Sequence, residues 1–298
     1  MLRRIGHWAE HKLNRWVAMN RFVKRIWLPL ALFFLLPLIL LAGDAQNAFN
    51  EGVKLYKAGK YKEAAAAFSR AIKASPKADE AYNNRGLAYF KLGQVDNAIK
   101  DYDEALKLNA KLTDARFNRG NAYYEQKQYD RAIQDFDEVI KQEPKTAKGF
   151  RQRGLALLSV KQFDKAIQDF NQAQKSDPKD AEIYYNRALA YRRLGKNDQA
   201  VLDYSEAIKL EPKNAESYNN RANAYSVLGK YDDAVKDYDE AIKLDSKNAR
   251  VYVNRGVIRS RQGKHDDAQK DFKRAVELEP GLKEKLEPLI SEQKAAPK

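Results

Sequence analysis

One pattern of 34 residues recurs seven times between Asn47 and Glu284, with nothing inserted or deleted between copies. Every copy has an alanine at the same place: Ala64, Ala98, Ala132, Ala166, Ala200, Ala234 and Ala268. Four residues later each copy has an aromatic: Phe68, Tyr102, Phe136, Phe170, Tyr204, Tyr238 and Phe272. A unit this short cannot bury an apolar face alone, so it folds only by stacking on its neighbours, as in a solenoid. That overrides the division into about two domains that a length of 298 residues would otherwise suggest. Function then becomes a question of what such a surface holds.

Composition narrows the answer. The chain has no cysteine, which excludes disulfides, thiol nucleophiles, thiolate metal sites and lipoprotein acylation. Its formal charge of +14 is unevenly placed. Residues 1–25 have seven Lys/Arg against one acidic residue, while the excess of +8 over residues 44–298 is interleaved with acids. Interleaving reads as a solvated surface and not as the concentrated stripe of a nucleic-acid binder.

Within a copy the apolar spacing is helical. In the window from Asp79 to Leu112, Tyr82, Gly86, Tyr89 and Leu92 share a face, and Gly93 closes the run. Val95, Ala98, Ile99, Tyr102, Ala105, Leu106 and Leu108 form a second run. Two short antiparallel helices joined by a tight turn make a hairpin. The small residues Gly52, Gly86, Gly120, Gly154, Ala188, Ala222 and Gly256 are expected where the two helices approach, with the repeat alanine as the opposite wall. Pro76, Pro144, Pro178, Pro212 and Pro280 end the second helices. Arg85, Arg119, Arg153, Arg187, Arg221 and Arg255 are matched by Asp101, Asp135, Asp169, Asp203, Asp237 and Asp271, and are expected to form a ladder of ion pairs, each worth about 1 kcal/mol or less if exposed. The first unit lacks both partners, with Glu51 and Ala67 in their places.

The order of small residue, aromatic, alanine, aromatic, alanine and proline, as in NRGLAYFKLGQVDNAIKDYDEALKL, resembles the tetratricopeptide repeat family. Departures are local: Val139 for an alanine, Ala110 and Ser246 for prolines, and Leu55, Leu157 and Arg259 for first-helix aromatics. The resemblance implies an all-α fold, a right-handed α-solenoid of seven helix-turn-helix units at 47–80, 81–114, 115–148, 149–182, 183–216, 217–250 and 251–284. It also implies that the first helices line a concave groove for a peptide or the surface of another protein.

Carried over residue by residue, the implied groove has three zones. Phe49, Val53, Tyr56, Asn83, Leu87, Phe90, Phe117 and Tyr124 make the first, mainly apolar and aromatic. Asn118, Asn121, Lys148, Arg151, Tyr185, Arg192 and Arg193 make a cationic, amide-rich middle. Asn219 and Asn223, with Arg250 and Arg261, complete it. Such groups suit an extended partner with acidic side chains or a C-terminal carboxylate. The family's chaperone-binding clamp of Lys and Asn in consecutive units is not reproduced. The alternative is that these side chains are simply the solvated inner surface.

The front of the chain is different. Residues 26–43, IWLPLALFFLLPLILLAG, are eighteen residues without charge. As a helix they reach roughly 27 Å, close to a bilayer core of about 30 Å. Pro29 falls in the first turn, and Pro37 implies a bend. Before this transmembrane helix, Trp8 and Trp16 lie on an apolar stripe bordered by Arg3, Arg4, Arg15, Arg21, Lys24 and Arg25, the pattern of a lipid-facing amphipathic leader. The cationic leader is expected to stay cytoplasmic, placing the repeats on the extracytoplasmic or lumenal side of a plasma or thylakoid membrane. The alternative is a signal peptide cut after Ala45, with Gly43 and Ala45 as the small residues of the site, releasing a soluble periplasmic adaptor for envelope assembly. His7 and His11 share a helical face but read as polar interfacial residues.

At the other end, residues 282–294 pattern as a solvating helix that Pro288 should kink or divide, and 295–298 as a disordered tail. No phosphate loop, metal-spaced cluster or nucleophile elbow is present, and His265 sits at an exposed-looking helix start. The reading is therefore a membrane-anchored interaction scaffold and not an enzyme, with protein partners, no nucleic acid, no small-molecule substrate and no cofactor or metal. Membrane-tethered members of the family in photosynthetic bacteria and plastids act in photosystem biogenesis and pigment synthesis, and the Asn-Arg-Gly style of repeat is similar to theirs.

Overall fold

A computed structural model of the protein describes residues 43–292. The expected leader and all but the last residue of the expected membrane helix lie outside the described residues, as does the tail. Among the described residues no helix is long and apolar enough to cross a membrane. Every regular element described is helical: α1 (43–57), α2 (Tyr61–Ala74), α3 (Asp79–Lys91), α4 (Val95–Leu108), α5 (Thr113–Glu125), α6 (Tyr129–Gln142), α7 (Ala147–Ser159), α8 (Phe163–Ser176), α9 (Ala181–Arg193), α10 (Asn197–Leu210), α11 (Ala215–Val227), α12 (Tyr231–Leu244), α13 (Ala249–Arg261), α14 (His265–Leu278) and α15 (Lys283–Glu292), with a 3-10 turn at Pro280–Leu282. The described residues form two compact units, divided between Ala122 and Tyr123.

In the first unit α1 pairs with α2 and α3 with α4. Ala64, Phe68, Ala98 and Tyr102 are fully buried. The glycine of each first helix faces the aromatic ring itself, not the alanine expected there. A Cβ at Gly86 would lie 2.6 Å from Tyr102 Cε1, and one at Gly52 would lie 2.6 Å from Phe68 Cε1. The ring packs directly against bare backbone, which is how two helices come close around a large side chain. The start of α5 closes this unit, with Ala115 against Ala105 and Leu106.

The second unit repeats the plan with α7/α8, α9/α10, α11/α12 and α13/α14. Phe170 and Phe272 cover Gly154 and Gly256. Tyr204 and Tyr238 instead cluster with Ala188 and Ala222. Leu286 of α15 is buried against Tyr252, Ala268, Phe272 and Ala275, so α15 covers the apolar side of the last hairpin. Of the two expected outcomes, division is not seen: α15 stays helical through Pro288, from Lys283 to Glu292. Leu286 before the proline and Leu289 and Ile290 after it all pack on the same cluster, and this holds both halves in one helix.

Turns within hairpins use a left-handed residue, Gly59, Gly93, Gly195, Gly229 and Gly263, at φ of 73–75°. Gln94 N donates to Tyr89 O and Gly93 N to Phe90 O, the paired bonds that close a helix C-terminus. Lys127 and Lys161 hold the same conformation at φ 60° and 62° despite their Cβ atoms. Between hairpins, the residue before each proline is extended, for example Ser75 (φ −136°) and Asp177 (φ −138°). Asn109 (φ −142°) and Asp245 (φ −137°) do the same before Ala110 and Ser246. Stacking therefore ends these helices even where no proline enforces it.

Candidate partner-binding face

The arginine ladder fixes the first helices against their neighbours. Arg85 Nε and Nη2 donate to Asp101 at 2.8 and 2.7 Å. Arg153 with Asp169, Arg187 with Asp203, Arg221 with Asp237 and Arg255 with Asp271 repeat this forked geometry at 2.6–3.0 Å. The aspartates are buried, so these are not the exposed pairs weighed from sequence. Each guanidinium also donates backwards to the preceding second helix: Arg85 to Ser69, Arg119 to Asp103, Arg153 to Asp137, Arg187 to Asn171, Arg221 to Ser205 and Arg255 to Asp239. One arginine thus joins three helices and two repeats. Burial pushes the Asp169 carboxyl up, opposed by the hydrogen bonds and the charge of Arg153. In the first repeat, Glu51 pairs instead with Arg70 at 2.7 Å.

The first-helix face of the first unit is aromatic and half-buried. Phe49 packs at 5.7 Å from Phe68, and Tyr56 meets Tyr61 edge-on at 5.2 Å. Leu87 and Phe90 lean on the cluster of Ala98, Tyr102 and Ala122. Asn83 is buried and accepts from Asn118 Nδ2 at 2.9 Å. Phe117 and Asn121 are half-buried on α5. A pocket of about 270 Å³ opens beside Phe49, lined by Ala45, Gln46, Ser75, Asp79 and Glu80.

The same face of the second unit is a polar network. Ser159 Oγ donates to Tyr124 Oη at 3.4 Å. Asn220 Nδ2 donates to Tyr185 Oη at 2.9 Å, and Tyr185 Oη donates to Glu216 at 3.2 Å. Asn254 Nδ2 reaches Asn219 and Asn223, and Tyr238 Oη donates to Asn223 at 2.8 Å. Burial and the nearby Glu216 raise the Tyr185 hydroxyl to about 12. The pocket of about 320 Å³ at this repeat occupies the same place as the one beside Phe49, but Glu182, Tyr185, Asn186, Glu211, Asn214 and Glu216 line it. Equivalent positions thus differ chiefly where Phe49 and Ala78 of one pocket are replaced by Tyr185 and Asn214 of the other.

The middle of this face is less cationic than its sequence suggests. Arg151 is engaged by Asp180 at 3.1 Å and by Glu182. Lys148 and Arg193 are exposed. Arg192 donates to Asn220 Oδ1 at 3.2 Å and makes no ion pair among the described residues. His265, expected exposed, is half-buried, and its Nδ1 has no hydrogen-bond partner. Among the described residues no group of His, Asp and Glu is placed to hold a metal.

Two columns of the repeat have roles that the sequence alone did not show. An amide stands one residue before every repeat arginine (Asn84, Asn118, Gln152, Asn186, Asn220 and Asn254) and in the first unit at Asn50. Asn118, Asn220 and Asn254 use it to grip the preceding first helix. A hydrogen-bonding residue likewise stands sixteen positions before each of those arginines, as the backward acceptor. Both are legible as columns once the repeats are aligned.

Known proteins share this architecture. A family model described as the cilia and flagella-associated protein 70 C-terminal domain, built of tetratricopeptide repeats, matches residues 60–287. Among solved structures, a tetratricopeptide repeat protein from Parabacteroides merdae is 22% identical, with TM-score 0.62 over 85% of this chain and 99% of its own. The C-terminal part of such a protein from Cytophaga hutchinsonii is 19% identical, with TM-score 0.67 over 80% of this chain and 98% of its own. YrrB, described as a TPR protein with an unusual peptide-binding site, is 21% identical, with TM-score 0.55 over 63% of this chain and 96% of its own. No curated protein matches significantly. With the family match spanning most of the repeats and this fold behind it, the chain belongs to the tetratricopeptide repeat family.

Proposed function

We propose that the protein is a membrane-anchored scaffold that binds an extended segment or surface of a partner protein along its first helices, and holds it for assembly or localisation of a membrane-associated complex. The observation that carries this reading is the division of labour between faces. The alanine, aromatic, arginine and aspartate columns are spent on packing, while the first-helix face changes from Phe49, Tyr56 and Phe90 to Tyr185, Asn219 and Asn223. Differing side chains on a rigid repeated frame are what selective binding requires. YrrB, a protein with an unusual peptide-binding site, shares this fold.

The anchor rests on residues 26–43, whose uncharged run leads directly into α1. The second reading, release of a soluble periplasmic adaptor, rests on Gly43 and Ala45. Those two residues lie within α1, whereas a cleavage site is read in extended form, and this favours retention. Cross-linking in native membranes, comparing the wild type with a Tyr124→Ala/Asn219→Ala/Asn223→Ala variant, tests the scaffold. The expected result is loss of the co-purified partner from a chain that still folds with wild-type helical content. An unchanged partner would refute the face assignment, and a mature chain starting at Gln46 would refute the anchor.

A further inference from the structure

Arg192 differs from the ladder arginines of its unit. Arg153, Arg187, Arg221 and Arg255 are each forked onto an aspartate, whereas Arg192 has an amide oxygen as its hydrogen-bond acceptor. Its charge acts on three tyrosines at once, Tyr185, Tyr204 and Tyr238, opposing in each the rise caused by burial. Arg193 acts on Tyr204 as well. The nearby carboxylate, Glu216, accepts from Tyr185 and not from Arg192.

Tyr204 supplies an independent observation. Its ring is fully buried, edge-on to Tyr185 at 5.8 Å, and its hydroxyl has no hydrogen-bond partner. The equivalent Tyr238 hydroxyl is answered by Asn223, but Leu189 stands at that place in the Tyr204 repeat. Four other repeats have Phe here, so packing does not demand the oxygen. An unanswered buried hydroxyl costs about 1–3 kcal/mol, a cost typical of sites shaped for something else.

We propose that Arg192 and Tyr204, flanked by Arg193 and Asn220, form a seat for one oxyanion group, a carboxylate or phosphate on the bound partner. The guanidinium supplies charge and N–H donors. The Tyr204 hydroxyl supplies a further donor once the Tyr185 side chain beside it turns aside. This deepens the proposed function and rests on the same face being the binding face, but the seat can be tested with bare ions.

The experiment uses the full chain in detergent with 15N-labelled arginine, following the Arg192 Nε signal, identified by its loss in Arg192→Gln. Sodium acetate and inorganic phosphate are titrated at constant ionic strength against sodium chloride. The expected result is a saturable shift of Arg192 with at least one oxyanion and none with chloride. Tyr204→Phe should weaken it about threefold to tenfold, the worth of one hydrogen bond. A response to acetate assigns an acidic side chain or chain terminus, and a response to phosphate alone assigns a phosphorylated one. No saturable shift with either ion, or equal shifts at Arg192 and Arg187, would overturn the seat. If the ions bind but the native partner cross-links elsewhere, the seat stands and the face assignment fails.

Discussion

Arg187 and Asp203 face each other across α9 and α10 and share two hydrogen bonds of 2.7 Å, with both side chains buried. The same arginine reaches back to Asn171 on α8 at 2.7 Å. Removing one member of such a pair leaves the other buried and uncompensated. Asp203→Ala should therefore cost about 3–5 kcal/mol. Asp198→Ala, which removes an exposed partner 4.0 Å from Lys230, should cost less than about 1 kcal/mol. Urea denaturation of the two variants checks the contrast.

Tyr204→Phe should raise stability by about 1 kcal/mol or more, because it deletes a buried hydroxyl that nothing answers. Tyr238→Phe should lower it, since Asn223 would lose the shorter of its two hydrogen bonds. Differential melting of the two variants gives opposite signs if the hydrogen-bond assignment is right.

Two backbone substitutions should also stabilise. Lys161 holds φ 62° where five repeats use glycine, so Lys161→Gly should gain up to about 1 kcal/mol. Ser246 follows a residue already extended as if before proline, so Ser246→Pro should gain about 0.4–1 kcal/mol. Calorimetry at matched scan rates measures both.

Alkaline pH should unfold the repeats through their tyrosines. Burial and Glu216 raise Tyr185 to about 12, so the folded protein keeps a proton that the unfolded chain releases near 10. Burial shifts Tyr102, Tyr204 and Tyr238 the same way. A raised folded value makes the contribution full below the unfolded value and lost as pH climbs through the folded one. Melting temperature should fall steeply above pH 10, and a Tyr102→Phe/Tyr204→Phe/Tyr238→Phe variant should show a shallower fall.

The period in the sequence carried most of the architecture. Val95–Leu108 could be read as a helix from its apolar spacing alone, and Gly93 as its preceding turn. Burial of the arginine ladder was harder to see, because charged residues at helix spacing look solvated until a neighbouring repeat covers them. Arg151 illustrates the same limit. Its neutralisation by Asp180 and Glu182 joins α7 to the start of α9, residues about thirty positions apart in the chain. That Pro288 leaves α15 undivided follows from the packing of Leu286, Leu289 and Ile290, which local backbone cost does not include. The aromatic and polar halves of the binding face were legible as columns of residues, but not which side chains had already spent their hydrogen bonds on each other.

The most direct measurement is photo-cross-linking in native membranes, with a photoreactive amino acid placed singly at Tyr124, Asn219 or Asn223 on the first-helix face and at Lys236 or Lys270 on the exposed side of second helices. A shared partner adduct from the first three positions and none from the last two is the predicted result. Adducts from Lys236 and Lys270 with none from the first-helix positions would contradict the claim that this protein holds its partner along its first helices.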